Sequence, residues 1–312
     1  MKRGIVFGGA GFIGSEVVKA LLRHGVDVCA VVKPGFADSP EQFRLNALEI
    51  PIIECDLRQV SHLKSYLPWD SADVFYQLAW EGLSSPEILD YTLQLNNVKW
   101  MMDAIVAASD LKCKKFIGAG SISQDELHTS IGRLRQNDRH RFFRSAALMC
   151  EYMGQNLAQE HGIEFIWPII ANVYGEGELN HRLITVLIQK LLEGKSLPLS
   201  AGTQIYDFLH ISDAGEAFYL IGTSGKSGRE YRITSGRIQP LKVYLEQVRQ
   251  IVNPKVNLIF GAAAESDGLL TAASFDNSVL CEDTGFTPAI SFEKGITQTA
   301  QWIWSQTQNS KR

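Results

Sequence analysis

Gly8, Gly11 and Gly14 stand three residues apart in the run Gly4-Ile5-Val6-Phe7-Gly8-Gly9-Ala10-Gly11-Phe12-Ile13-Gly14-Ser15 near the head of the chain. An apolar run, a glycine cluster and an amphipathic stretch from Ser15 to Arg23 read in order as a buried strand, a tight turn and a helix. Without a Cβ, the turn can bend sharply and let a ligand approach the backbone closely. The first N–H groups of the helix then face a diphosphate. A dinucleotide is expected on this first β-α turn of a doubly wound sheet, with Gly8, Gly11, Phe12, Ile13 and Gly14 as its contacts. The spacing is three-and-three and departs from the G-x-G-x-x-G fingerprint. The plain alternative is a strand-to-helix turn that holds nothing.

The pattern that follows predicts an α/β protein. Val26 to Val32 reads as a second buried strand after a helix stop at Gly25. Ile52 to Leu57 reads as a third, with an acid, Asp56, at its carboxyl end. Asp73 to Ala79 reads as a fourth, Lys115 to Ser121 as a fifth and Phe165 to Ile170 as a sixth. Pro168 is awkward inside a central strand and marks an edge or an end. Long helices are expected from about Pro86 to Ala108 and from about Phe142 to His161, the second stopped by Gly162. Alternating strands and helices predict a mostly parallel Rossmann-type sheet covered on both faces. The dinucleotide-binding domain is expected over 1–174, rejoined by about 205–225. A smaller, interleaved substrate lobe is expected over 175–312. It would carry a helix from about Leu183 to Glu193 and a short strand around Phe208 to Ile211.

Composition narrows the class. The chain has 312 residues, a net charge of -4, 45% hydrophobic and 21% charged residues, which are ordinary values for a globular protein with an ample core. No charge run points to nucleic acid or to an anionic membrane, and no apolar stretch has the length of a membrane-spanning helix. Lys2-Arg3 ahead of an apolar run could pass for a leader, but the glycines and Glu16 spoil that pattern. Cys29, Cys55, Cys113, Cys150 and Cys281 are scattered, odd in number and without metal-type spacing. They read as reduced thiols of a cytoplasmic protein that holds no metal.

The glycine turn, Asp56-Leu57, Leu78-Ala79, Asn97-Val98, Asn172-Val173-Tyr174-Gly175, Gln204, Asp207-Phe208-Leu209-His210, Asp213, Gly285-Phe286-Thr287-Pro288 and the closing helix with Trp302 occur in the order of one known family. The chain resembles the extended short-chain dehydrogenases/reductases, the group of NAD-dependent nucleotide-sugar epimerases, dehydratases and ketoreductases, along nearly its whole length. Gln77 and Trp80 stand where that family usually has a histidine and a small residue. The resemblance implies cofactor contacts from the glycine turn, Asp56, Leu57, Leu78, Ala79 and Asn97, and substrate contacts from Asn172 and Tyr206. Taken singly, Asn97 reads as a satisfied helix residue and Asp56 as a turn or cap residue.

The family's chemistry uses a tyrosine, a lysine four residues later on the same helix face, and a serine or threonine on the fifth strand. The tyrosine exchanges a proton with the substrate oxygen, and the lysine lowers its pKa and holds the nicotinamide ribose. Ser121 stands at the serine position. Counting back from Glu151, the tyrosine position is Phe143 and the lysine position is Ala147. A shift of one residue gives Phe142 and Ala146. Neither pair can move a proton. In the segment Arg139 to Arg144, His140 could act near neutral pH; a surface residue ahead of the helix is its plain reading. The resemblance also implies an arginine clamp on a sugar-nucleotide diphosphate. Tyr206 occupies one expected position, and no arginine stands near Asp267. Arg182, Arg229, Arg232 and Arg237 are the substitutes on offer.

At the end of the second strand the acid that would bond both ribose hydroxyls is replaced by Val32, followed by Lys33. Loss of the acid and gain of a cation predict NADP(H), with NAD(H) as the second choice. Two functions remain open: an NAD(P)-dependent nucleotide-sugar (or related carbonyl) epimerase, dehydratase or ketoreductase with an atypical site, or a catalytically silent dinucleotide-binding sensor or partner subunit. The resemblance further implies a homodimer formed through the two long helices.

Overall fold

The computed structural model describes residues 1–84, 86–130, 140–263 and 270–309. Its centre is a six-stranded parallel sheet in the order β3-β2-β1-β4-β5-β7. The strands are β1 (Arg3–Phe7), β2 (Asp27–Val32), β3 (Ile52–Glu54), β4 (Val74–Gln77), β5 (Lys115–Ile117) and β7 (Glu164–Ile166). Chain direction reverses its sideways progress at β1, the switch point at which open sheets of this kind hold ligands.

The expected fifth and sixth strands are each cut in two. β5 is separated from β6 (Gly120–Ser121), and β7 from β8 (Ile169–Ile170). The Trp167 ring explains the break. A Cβ on Gly118 would sit 2.2 Å from that ring, so tryptophan and glycine interlock where the ladder would continue. Pro168, which has no N–H, offers only its carbonyl, to Gly120. β6 and β8 pair again beyond the break, joined by β12 (Arg232–Ile233).

Three other boundaries differ from the sequence expectation by three residues or more. α1 (Phe12–Arg23) begins inside the glycine turn, three residues ahead of Ser15. α2 (Tyr91–Asp110) begins well after Pro86 because the Asp90 carboxylate accepts from the Thr92 and Leu93 N–H groups and caps it there. β3 ends at Glu54, and Asp56 instead caps a 3-10 turn over Leu57–Ser65 by accepting from Arg58 N. A helix the sequence did not announce, α3 (Ser123–Ser130), follows Ser121 directly, ahead of α4 (Arg141–Glu160).

Two apolar clusters sandwich the sheet. On one face Ile5, Phe7, Val31, Phe75 and Phe116 meet α2 and α4. On the other Val6, Val28, Ala30 and Ile117 meet α1 and α6 (Ile211–Ser224). A third cluster lies apart, where α5 (Leu183–Leu192), α7 (Leu241–Val252) and α9 (Phe292–Asn309) pack on Tyr174 and Phe208. β9 (Asn172–Tyr174) pairs with β11 (Phe208–His210), and β10 (Ile205–Tyr206) pairs antiparallel with β13 (Gln239–Pro240), so residues from both stretches meet at one seam. α8 (Ser278–Thr284) closes over β12 and α6.

Candidate functional site

The glycine turn is built for close approach. Gly8 has φ +87°, which L side chains rarely adopt, and a Cβ there would press within 2.8 Å of Ala79 N. A Cβ on Gly14 would lie 2.1 Å from Gly8 O, so this glycine seats α1 against the end of β1. Gly11 differs: it is exposed, and an added Cβ would meet only Gly8 O, at 3.1 Å. Gly11 is the N-cap of α1, and no side chain caps that helix. The first-turn N–H groups of Phe12, Ile13 and Gly14 therefore lie beside an exposed N-cap with no side chain to cap them. The arrangement fits a diphosphate.

Around the turn, the carboxyl ends of β1 and β4 lie side by side. Leu78 N bonds to Phe7 O, which brings Leu78 and Ala79 beside Gly8. Buried Asn97 holds the segment after β4: its Oδ1 accepts from Glu81 N at 3.0 Å, and its Nδ2 donates to Glu81 O at 2.9 Å. Lys33 and Glu54 are exposed at the carboxyl ends of β2 and β3. Arg44 was missed by sequence reasoning. It is 7% exposed and spans two segments, donating from Nη1 to Ala10 O at 2.7 Å and from Nη2 to Gly177 O at 2.6 Å. Burial lowers its guanidinium pKa, against the pull of Glu41 and Glu178.

Ser121 closes β6. Its Oγ lies 2.9 Å from Ser123 Oγ, and its N–H donates to Gln124 Oε1 at 2.9 Å. Buried Gln124 also receives Trp167 Nε1 and donates to Glu151 on α4, at 3.2 and 3.0 Å. Ser121 is thus fixed to α4 through one glutamine, a role that no spacing in the sequence marks. On α4, Phe143 and Ala147 share a face. The Phe143 ring meets Trp80 edge to face, and Ala147 is 1% exposed. Arg144 pairs with Glu126, and Arg232 with Asp125 at 2.6 Å, which anchors α3 from both sides. His140 is exposed at the N-cap of α4. Arg139 and Asp267 lie outside the described residues.

Asn172 and Tyr206 come together. They line a cavity of about 270 Å³ with Glu178, Arg182, Thr185 and Phe208. Arg182 Nε lies 3.2 Å from Glu178 Oε2. Burial raises the Tyr206 phenol pKa, helped by Glu126. Of the other arginines, Arg229 goes to Asp283 and Arg232 to α3, while Arg237 lines a separate cavity of about 210 Å³. Among the described residues, no group of three or more His, Cys, Asp or Glu side chains could hold a metal, and no helix is long and apolar enough to cross a membrane.

Residues 5–234 match the model of the NAD dependent epimerase/dehydratase family. The chain is 25% identical to the dTDP-glucose 4,6-dehydratase of Haemophilus influenzae, over 96% of both chains. Among solved structures, the Bordetella bronchiseptica enzyme WbmF in complex with NAD+ and UDP superposes with a TM-score of 0.80 at 19% identity, covering 99% of this chain and 94% of that one. The UDP-glucose 4-epimerase of Thermotoga maritima with UDP-glucose gives 0.77 at 18% identity, covering 98% and 99%.

Proposed function

Because this chain belongs to the NAD-dependent epimerase/dehydratase family, we propose that it is a nicotinamide-dependent enzyme acting on a nucleotide sugar or a related carbonyl substrate through an atypical active site. The observation that carries the reading is the open, uncapped first turn of α1 around Gly11. The relatives support the substrate class: the first acts on a dTDP sugar, and the two solved structures hold UDP or UDP-glucose. In this chain the cavity lined by Asn172, Tyr206 and Arg182 is our choice for the nucleotide end of the substrate. A guanidinium there suits a diphosphate.

A bound dinucleotide supplies the hydride acceptor or donor. The glycine turn would hold it, with backbone N–H groups of Phe12, Ile13 and Gly14 available to its diphosphate and Asp56, Leu57, Leu78, Ala79 and Asn97 shaping the adjoining walls. Ser121 Oγ donates to the reacting oxygen and is oriented by Ser123 and Gln124. Phe143 and Ala147 move no proton, so that step falls to His140 or to water at the mouth of the site. Acid–base help is worth about 10²–10⁴-fold, and positioning supplies much of the remaining acceleration. For the phosphate state of the dinucleotide, Lys33 favours NADP(H) and Glu54 opposes it.

Incubating the purified chain with NAD+ or NADP+ and a panel of nucleotide sugars, with products read by nuclear magnetic resonance, tests the proposal. A new sugar product, or a change in nicotinamide absorbance, is the expected result. A chain that binds dinucleotide yet converts no sugar supports the second reading, a silent sensor or partner subunit, which the pair Phe143 and Ala147 favours.

We assign the exposed apolar side chains of Tyr91 and Leu95 on α2 and Met149, Tyr152 and Met153 on α4 to contact with a second copy of the chain. Gel filtration at twice the 34.7 kDa chain mass is expected. Five thiols without disulfides support a cytoplasmic location.

A further inference from the structure

We propose that Glu54, and not Lys33, sets the phosphate state of the dinucleotide and makes the site selective for NAD(H) over NADP(H). The inference rests on the reading that a dinucleotide occupies the glycine turn. With the diphosphate at that turn, the adenosine ribose of a doubly wound fold lies over the carboxyl end of β2. The residue expected to supply a carboxylate there is Val32. In the structure Val32 is the last residue of β2 to pair with β3, and its register partner is Glu54. The strands are parallel, so both residues sit at the ligand-facing end. The carboxylate absent from the carboxyl end of β2 is therefore present one strand over.

Its placement is fixed. Glu54 Oε2 accepts from Gly35 N at 3.2 Å, and Oε1 accepts from Phe36 N at 3.1 Å. Gly35 has φ +82°, which turns these two neighbouring N–H groups to the same side. Consecutive N–H groups in such a bend are what a loop offers to a phosphate. Here the chain's own carboxylate occupies them. A 2′-phosphate at this ribose would find its donors taken and a fixed negative charge beside it. A 2′-hydroxyl meets no such repulsion and can donate to a carboxylate oxygen. Lys33 next door and Glu54 are both exposed, so both charges are solvated and screened, but Glu54 is held in place by two backbone bonds.

Titration calorimetry of the full chain with NAD+ and with NADP+ tests this, in the parent and in Glu54→Gln, which removes the charge and keeps an acceptor for the loop. The parent is expected to bind NAD+ at least about tenfold more tightly, and Glu54→Gln to narrow that ratio about tenfold, chiefly by tighter NADP+ binding. Lys33→Ala is expected to leave the ratio within about twofold. Tighter NADP+ binding by the parent, or a ratio that Glu54→Gln does not move, overturns the assignment of Glu54 alone. Absence of heat with either dinucleotide overturns the underlying reading, and this one with it.

Discussion

The ring of Phe143 meets the ring of Trp80 edge to face, with centroids 5.3 Å apart and planes at 81°. The resemblance places a departure from the family pattern at each of the two residues, and in the structure they are in contact. Trp80 is held in place by its Nε1–H, which donates to Gln94 Oε1 at 2.9 Å, and Gln94 is itself fastened to Gly82 O. An aromatic pair of this geometry contributes about 0.5–1.5 kcal/mol beyond its buried area. The position at which the resemblance expects the proton-carrying tyrosine is thereby part of an apolar wall between α4 and the segment after β4.

Installing the tyrosine and lysine that the resemblance expects should raise turnover. Phe143→Tyr keeps the ring that packs on Trp80 and adds a hydroxyl. Ala147→Lys adds the ammonium four residues on, at a site 1% exposed, so the double variant should melt lower than the parent. With the same nucleotide sugar and dinucleotide, its kcat should exceed that of the parent by about 10²-fold or more. Equal rates in the two proteins would show that proton transfer in this chain does not pass through that helix face.

The glycines of the turn should separate into two classes. Gly14→Ala drives a Cβ to 2.1 Å from Gly8 O, and backbone on both sides has nowhere to go. It is expected to cost about 3 kcal/mol or more and to lower Tm sharply. Gly11→Ala places a Cβ against Gly8 O alone, at 3.1 Å, on the exposed side of the turn. That variant should keep a near-parental Tm and lose at least about tenfold in dinucleotide affinity, because the methyl group occupies the space a diphosphate needs. Differential scanning calorimetry and binding titrations read the two effects independently.

Arg44 joins the loop after β2 to the segment after β9, through Ala10 O and Gly177 O. Phe43, its neighbour, packs on Trp302 of α9, with ring centroids 6.2 Å apart. This loop therefore straps the glycine turn to the third cluster. Arg44→Met retains much of the side-chain volume but leaves two carbonyls without their donor, at an expected cost of about 2–4 kcal/mol. A drop in Tm accompanied by weaker dinucleotide binding is the expected pair of results.

What was legible in the sequence was local. The glycine turn and the apolar runs of β1, β2 and β4 carry their structure in neighbouring residues, so the parallel sheet could be expected from them. The cut through the fifth and sixth strands could not, because it needs the Trp167 ring to find Gly118 across two strands. Arg44 and Gly177 are 133 residues apart, and Gln124 and Glu151 are 27 apart. Their partnerships exist only after folding. Glu54 looked like one more polar residue of a strand until the register put it beside Val32. The departures expected at Phe143 and Ala147 came from the family resemblance, counted back from Glu151, and helix geometry puts both residues on one face.

Asp283 should contribute to acid sensitivity. On α8 it accepts from Lys226 Nζ at 2.7 Å, Tyr231 Oη at 2.9 Å and Arg229 Nε at 3.0 Å. The Lys226 and Tyr231 hydrogen bonds, followed by that of Arg229, bring its carboxyl down to about 2. In the unfolded chain the same group titrates near the ordinary aspartate value of about 3.9. The folded state therefore binds fewer protons between those values, so the contribution is fully present above about pH 4–5 and is lost as pH falls towards 2. Asp283→Asn keeps the shape and removes the charge. At pH 7 its Tm should lie below that of the parent, and the two curves should converge as pH approaches about 2. A constant difference in Tm across that range would assign the effect of the substitution to packing under α8 and not to the charge.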